Sequence, residues 1–167
     1  MTPHPARLAA AFDPPIPLSV AERLLADARF QSRIDALLDG GDVPDRTTLE
    51  ALAQRAGAVL YARSFVREIR GPVIADLAAR LGPALDDARA HVDLGWDRIA
   101  PTDPDALAQA VDGAGLACLA AWIADLPEDE RRRVALQWPD DAALPQTADP
   151  EIRTLGPRIL RRLMESE

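Results

Sequence analysis

A chain of 167 residues with 48% hydrophobic and 28% charged side chains is long enough to bury a core and too apolar to stay disordered. Its net charge of -8 argues against nucleic acid or an anionic membrane as the main partner, since both are polyanions. Aromatic residues make up only 4%, so alanine and leucine must do the packing, and that favours helices over sheet.

Every basic residue is an arginine, and lysine and asparagine are absent, a bias that fits a GC-rich bacterial genome. One cysteine, Cys118, excludes an intramolecular disulfide and suits a reducing cytosol. The apolar run at residues 8–12 is too short for a signal peptide and is followed by proline, so a cytoplasmic location is expected.

Residues 1–17 hold five prolines and predict an extended, partly mobile arm. Ser19 with Glu22 reads as a capping box, opening a short amphipathic helix through Leu24, Leu25, Ala28 and Phe30. A second short helix over 32–38 stops at Gly40-Gly41, and a loop follows to Arg46. Thr47 with Glu50 reads as another capping box; its helix carries Leu49, Leu52, Ala53, Ala56, Val59 and Leu60 to about Ala62. Gly57 inside it suggests close helix packing. Residues 64–70 continue that helix or restart after a kink.

Gly71-Pro72 and Gly82-Pro83 each mark a stop followed by proline at a new helix start. They bracket a helix over 73–81 and begin another that reaches about Val92. The stretch 95–101 is a connector that docks Trp96. Asp103-Pro104 then starts a long helix to about Leu126. Leu107, Val111, Ala114, Cys118 and Trp122 form one apolar stripe on it, and Leu116, Leu119, Ile123 and Leu126 a second. The twelve residues 113–124 carry no charge, too few to span a bilayer and enough to place the helix inside a bundle. A helix from Pro127 leads through Val134, Leu136 and Trp138, with Trp138 inward. An acidic, proline-bounded loop follows over 139–148. Asp149-Pro150 starts the last helix, with Ile152, Leu155, Ile159, Leu160 and Leu163 facing in.

The fold expected is therefore all-α. A proline-rich arm over 1–17 precedes a single helical domain over 18–167, a bundle of about seven to eight helices around a buried central one.

Candidate chemistry is sparse. His4 lies in the arm and His91 near a helix end, and Asp87 with His91 offers at most a pair where a metal needs three or four ligands. Cys118, without a basic neighbour in sequence, reads as a small core residue. Gly113-Ala114-Gly115 has neither the preceding strand nor the third glycine of a phosphate loop, and reads as helix packing. Glu128-Asp129-Glu130 complements a helix dipole. No catalysis, cofactor or metal is expected. Arg131-Arg132-Arg133 fan around their helix, whereas Arg158, Arg161 and Arg162 share one side of the last helix. Those three, with Trp96 where the connector leaves it partly exposed, are the candidate partner-binding residues, because arginine and tryptophan dominate interface hot spots. Asp140 and Asp141 in the acidic loop come next.

Several segments, in order, resemble the K component (SctK or YscK type) of bacterial type III secretion sorting platforms. The run Arg55-Ala56-Gly57-Ala58-Val59-Leu60-Tyr61 is similar to that family's R-L-G-L-V-L-H helix, and the arginine-bearing turn Ile69-Arg70-Gly71-Pro72 follows. Leu94-Gly95-Trp96 continues the match. Gly115-Leu116-Ala117, on to Trp122, is similar to S-G-L-A-F-W-L. Arg132-Arg133-Val134-Ala135-Leu136-Gln137-Trp138-Pro139 resembles K-R-L-S-L-R-L-P. The final helix stands where the family has a basic amphipathic one, and Phe12-Asp13-Pro14 is similar to an early F-x-P. The likeness covers residues 49–164 well and 12–40 loosely, with a trimmed loop near 40–47.

The resemblance implies a non-enzymatic, cytosolic adaptor at the periphery of the inner-membrane secretion apparatus. Such an adaptor links the ring protein (the D component) to the pod, or C-ring, protein (the Q component), and so supports protein transport. It neither binds nucleic acid nor inserts in the membrane. The rival readings are another helical interaction module, such as a secretion chaperone or regulator, a small helical enzyme with a scattered site, and a helix-turn-helix DNA binder, which the charge disfavours.

Overall fold

The computed structural model describes residues 2–38, 43–68 and 70–166, leaving aside the side chains of residues 35, 37 and 38. The expected Gly40-Gly41 stop and Ile69 lie outside the described residues. The described residues are helical without strands, so the fold is all-α as the composition requires. Among the described residues, ten α-helices replace the expected seven or eight: α1 (Pro5–Ala10), α2 (Leu18–Ala26), α3 (Ala28–Leu38), α4 (Arg46–Leu60), α5 (Ala62–Arg67), α6 (Gly71–Leu81), α7 (Pro83–Ala90), α8 (Pro104–Asp125), α9 (Glu128–Ala135) and α10 (Pro150–Met164). A short 3-10 turn, Val92–Leu94, follows α7.

Helix boundaries shift through local hydrogen bonding that the apolar pattern does not display. Asp27 interrupts the helix expected to run through Phe30: its carboxylate accepts from the N–H groups of Arg29 (2.8 Å) and Phe30 (3.2 Å) and so opens α3. Ser19 makes no cap, because α2 starts one residue earlier, behind Pro17 and with no side-chain cap. Asp45 replaces Thr47 at the head of α4, accepting from the Thr48 N–H at 2.8 Å. That bond holds the Asp45 carboxyl below its usual range.

The chain divides into two compact units, Met1–Thr48 with Leu126–Leu144 and Leu49–Asp125 with Pro145–Glu167. In the first, the expected extended arm carries α1 instead. His4 caps it, with Nδ1 accepting from the Ala6 N–H at 3.2 Å, and the His4 main-chain N–H donates to the Leu136 carbonyl at 2.7 Å. Arg7 donates to the carbonyls of Trp138 (3.3 Å) and Ala135 (3.2 Å) and pairs with Asp141 at 2.7 Å. The arginine thus adds a donor to the turn after α9, where the Trp138 N–H already donates to the Ala135 carbonyl at 3.1 Å. Trp138 is buried, as its position on the inward face predicts, with the Arg46 guanidinium 5.4 Å from the ring centre.

The second unit is built on α8. Its 22 residues include the fully buried Val111, Cys118 and Leu119. By length and composition α8 passes for a membrane span; its inner stripe is instead packed against protein. Three glycines explain how closely its neighbours approach. A Cβ on Gly57 of α4 would overlap the Val111 carbonyl, and one on Gly115 of α8 would overlap the Ala53 carbonyl. Positions 57 and 53 meet 111 and 115, so α4 and α8 run antiparallel with backbones touching. Gly156 of α10 does the same from another side, where a Cβ would lie 2.9 Å from the Cα of Cys118. The close packing read from Gly57 and Gly115 is therefore real.

Asp149 caps α10 as expected, accepting from the N–H groups of Glu151 and Ile152. Ile152, Ile159, Leu160 and Leu163 are buried; Leu155 is half-buried. Pro157 sits inside the helix and leaves the Arg153 carbonyl without its usual N–H.

Candidate partner-binding surface

Trp96 is a core residue, and this corrects its assignment to a partly exposed surface. It is 6% exposed. Its main-chain N–H donates to the Leu60 carbonyl at 3.1 Å, which draws the connector onto the end of α4. Tyr61 meets the indole edge-on, with ring centres 5.1 Å apart, and the Arg98 guanidinium lies 4.3 Å from the ring centre. Burial raises the Tyr61 hydroxyl pKa, and the nearby Arg98 charge partly offsets it. Tryptophan is large enough that a connector rich in polar residues still hides it, once an arginine covers the ring.

Arg98 ties this region to the head of α10. It pairs with Asp149 at 2.6 Å and with Glu151 at 2.8 Å. Those bonds, first to Asp149 and then to Glu151, raise the Arg98 pKa, and the Arg98 hydrogen bond holds Asp149 below the usual carboxylate range. On the other side Arg63 pairs with Asp97 at 2.5 Å and lowers the Asp97 pKa likewise. The sequence places none of these pairs, because the partners stand up to 53 residues apart.

The arginines of α10 stand where the helical spacing puts them. Arg158, Arg161 and Arg162 are all exposed. Arg161 forms an ion pair with Asp125 at the end of α8; Arg158 and Arg162 have no acidic partner among the described residues. Arg153, one turn before Pro157, is also exposed and donates to the Thr147 carbonyl at 3.3 Å. Beside it, a groove of about 450 Å³ is lined by Ala120, Ala121, Ala124, Asp125, residues 145–147 and Arg153. Ala120 continues the i,i+4 row that begins at Leu116, which is half-exposed. The second apolar stripe therefore splits: Leu119 and Ile123 are buried, while Leu116 faces out. Nothing in the spacing distinguishes Leu116 from its neighbours.

The remaining candidates are absorbed by structure. Asp87 turns to Arg55 at 2.7 Å, joining α7 to α4, and not to His91. Burial pushes the Cys118 thiol up to about 12, which makes it a poor nucleophile. Glu128 pairs with Arg131 and with Arg132 on its own helix. Asp140 accepts from the Ala143 N–H at 2.9 Å and Asp141 is taken by Arg7. Among the described residues no group of three His, Cys, Asp or Glu side chains is placed to hold a metal.

No family model matches the chain, and no solved structure matches it. Two curated relatives do, both called nodulation protein NolU, one from Rhizobium fredii and one from Sinorhizobium fredii (strain NBRC 101917 / NGR234). Each is 33% identical over 154 residues, which span 81% of this chain and 70% of the relative. With that identity over most of both chains, the protein belongs to the family of nodulation protein NolU.

Proposed function

We propose that the chain is a non-enzymatic adaptor of the cytosolic type III secretion sorting platform. In this reading it links the inner-membrane ring protein to the pod protein. It works in the cytoplasm at the periphery of the apparatus, through protein partners, without cofactor, nucleic acid or membrane insertion. The observation that carries the proposal is the ordered series of K-component-like segments over residues 49–164. Membership in a family whose relatives are named for nodulation agrees with a role in dealings between bacterium and host. The physical chemistry fits as well. The single thiol is buried, and most of the ion pairs among the described residues lie at the surface.

The test is a pull-down with the cognate ring and pod proteins, run beside melting curves. Both proteins should bind the wild type. Charge reversal at Arg158 and Arg162, which leaves the Arg161–Asp125 pair in place, should weaken one partner and spare the other and the fold. Binding of neither protein to the folded wild type would overturn the proposal.

A further inference from the structure

Ile99 stands almost wholly in water, at 96% exposed, more than any other large apolar side chain among the described residues. The backbone that carries it is nevertheless held. The Trp96 N–H bonds the Leu60 carbonyl, and Arg98 is fixed by Asp149 and Glu151 on α10. The connector therefore presents the isoleucine in one place, with little left to order on binding. Ile99 lies on the edge of a cleft of about 310 Å³ whose apolar lining includes the buried Phe65, Leu77 and Leu107. Val66, between the cleft residues Phe65 and Arg67 on α5, is 55% exposed. A protruding apolar group and an apolar recess thus share one small surface. The charges around it come in both signs and largely cancel. Asp97 pairs with Arg63 at 2.5 Å and Glu68 with Arg70 at 2.6 Å, while Arg67 reaches Asp97 only at 3.9 Å. The patch is close to neutral in a chain whose net charge is -8.

We propose that this face joins two copies of the chain about a two-fold axis, with Ile99 of each copy seated in the cleft of the other. A two-fold interface must carry both halves of its own complement on one surface. This patch does so twice over, with a knob beside a recess and arginine beside carboxylate. A two-fold contact can set Arg67 of one copy against Asp97 or Glu68 of the other, whereas the rest of an acidic surface repels a copy. A strongly acidic or strongly basic partner finds no matching field here, because neighbours within the chain already neutralise most of the rim. Nothing in the proposal depends on the adaptor role.

The test is light scattering during size exclusion of the full chain over a concentration series. Wild type should approach twice the mass of one chain by about 0.1 mM, as a modest interface allows. Ile99→Ser removes the knob; Thr102→Arg, at an exposed position lining the cleft, fills the recess. Each should weaken the dimer about a hundredfold, or about tenfold for each isoleucine returned to water, without changing the melting curve of the monomer. An equimolar mixture of the two variants keeps one knob and one open recess. It should therefore dimerise about tenfold more tightly than either variant alone. A wild type that stays monomeric throughout, a dimer indifferent to Ile99→Ser, or a mixture no better than its components overturns the proposal. So does a monomeric wild type that binds the ring or pod protein and loses it on Ile99→Ser, since a partner protein then covers the face.

Discussion

Gly113 and Gly115 are two residues apart on α8 and meet opposite surroundings. Gly115 touches the backbone of α4 so closely that no side chain fits, while Gly113 faces open space. The same division separates Leu119, fully buried, from Leu116, half-exposed. The charge-free stretch 113–124 reads as a helix buried all round; residues 118–123 are, while the first turn opens outward at Gly113 and Leu116. The buried positions fix the fold through backbone contact, and the opening at Gly113 and Leu116 leaves a small apolar surface exposed. An uncharged helix face is informative only once its neighbours are known.

Paired substitutions break or sharpen that contrast. Leu119→Ala should cost about 2–5 kcal/mol, the range for a fully buried leucine, and Leu116→Ala should stay within about 0.5 kcal/mol. Chemical denaturation of the two variants checks this, and equal losses would erase the distinction between the faces. Next, Gly115→Ala should destabilise by about 1–3 kcal/mol, because the colliding atom is a main-chain carbonyl that cannot rotate away. Gly113→Ala should have the opposite sign, stabilising by about 0.5–1 kcal/mol as alanine does in a helix interior. A gain at position 115 would mean that α4 and α8 do not touch there.

The thiol gives a milder test of the inner face. Cys118 should resist a maleimide at neutral pH in the folded protein and react fully in denaturant, since its labelling then tracks unfolding. Stoichiometric labelling of folded protein within minutes would contradict its burial. The smallest effect expected is at the head of α10. The folded Asp149 pKa lies below its ordinary 3.8, so its ionised form stabilises the fold above that value, and the contribution fades as pH falls through the folded pKa. Asp149→Asn keeps a competent cap and loses the Arg98 pair. Its melting temperature should therefore trail wild type at neutral pH and converge on it as pH falls through the folded Asp149 pKa. A gap that persists in acid would mean that the Arg98 pair is not its source.

Much of the fold is legible in the residue order alone. Proline after Asp103 and Asp149, and after Gly71 and Gly82, marks four helix starts close to where they fall, since each proline suits the first turn of a helix. Gly57 announces a close crossing because nothing else explains a glycine in an otherwise good helix. The caps at Asp27 and Asp45 are harder to read: several nearby residues offer an acceptor, and geometry chooses among them. The candidate surface is only half legible. Helical spacing groups Arg158, Arg161 and Arg162, but which arginine is engaged depends on Asp125, 36 residues away. Trp96 is misjudged because its shelter comes from Tyr61 and Arg98, and the second of these is fixed by α10.

The central claim, that one chain bridges two proteins, is tested most directly by mixing it with the pod protein and the cytosolic domain of the ring protein and measuring mass by light scattering during size exclusion. A single species containing all three is expected, which does not form when this chain is omitted. Two binary complexes that compete, or a ring–pod complex that assembles equally well without it, would contradict the adaptor role.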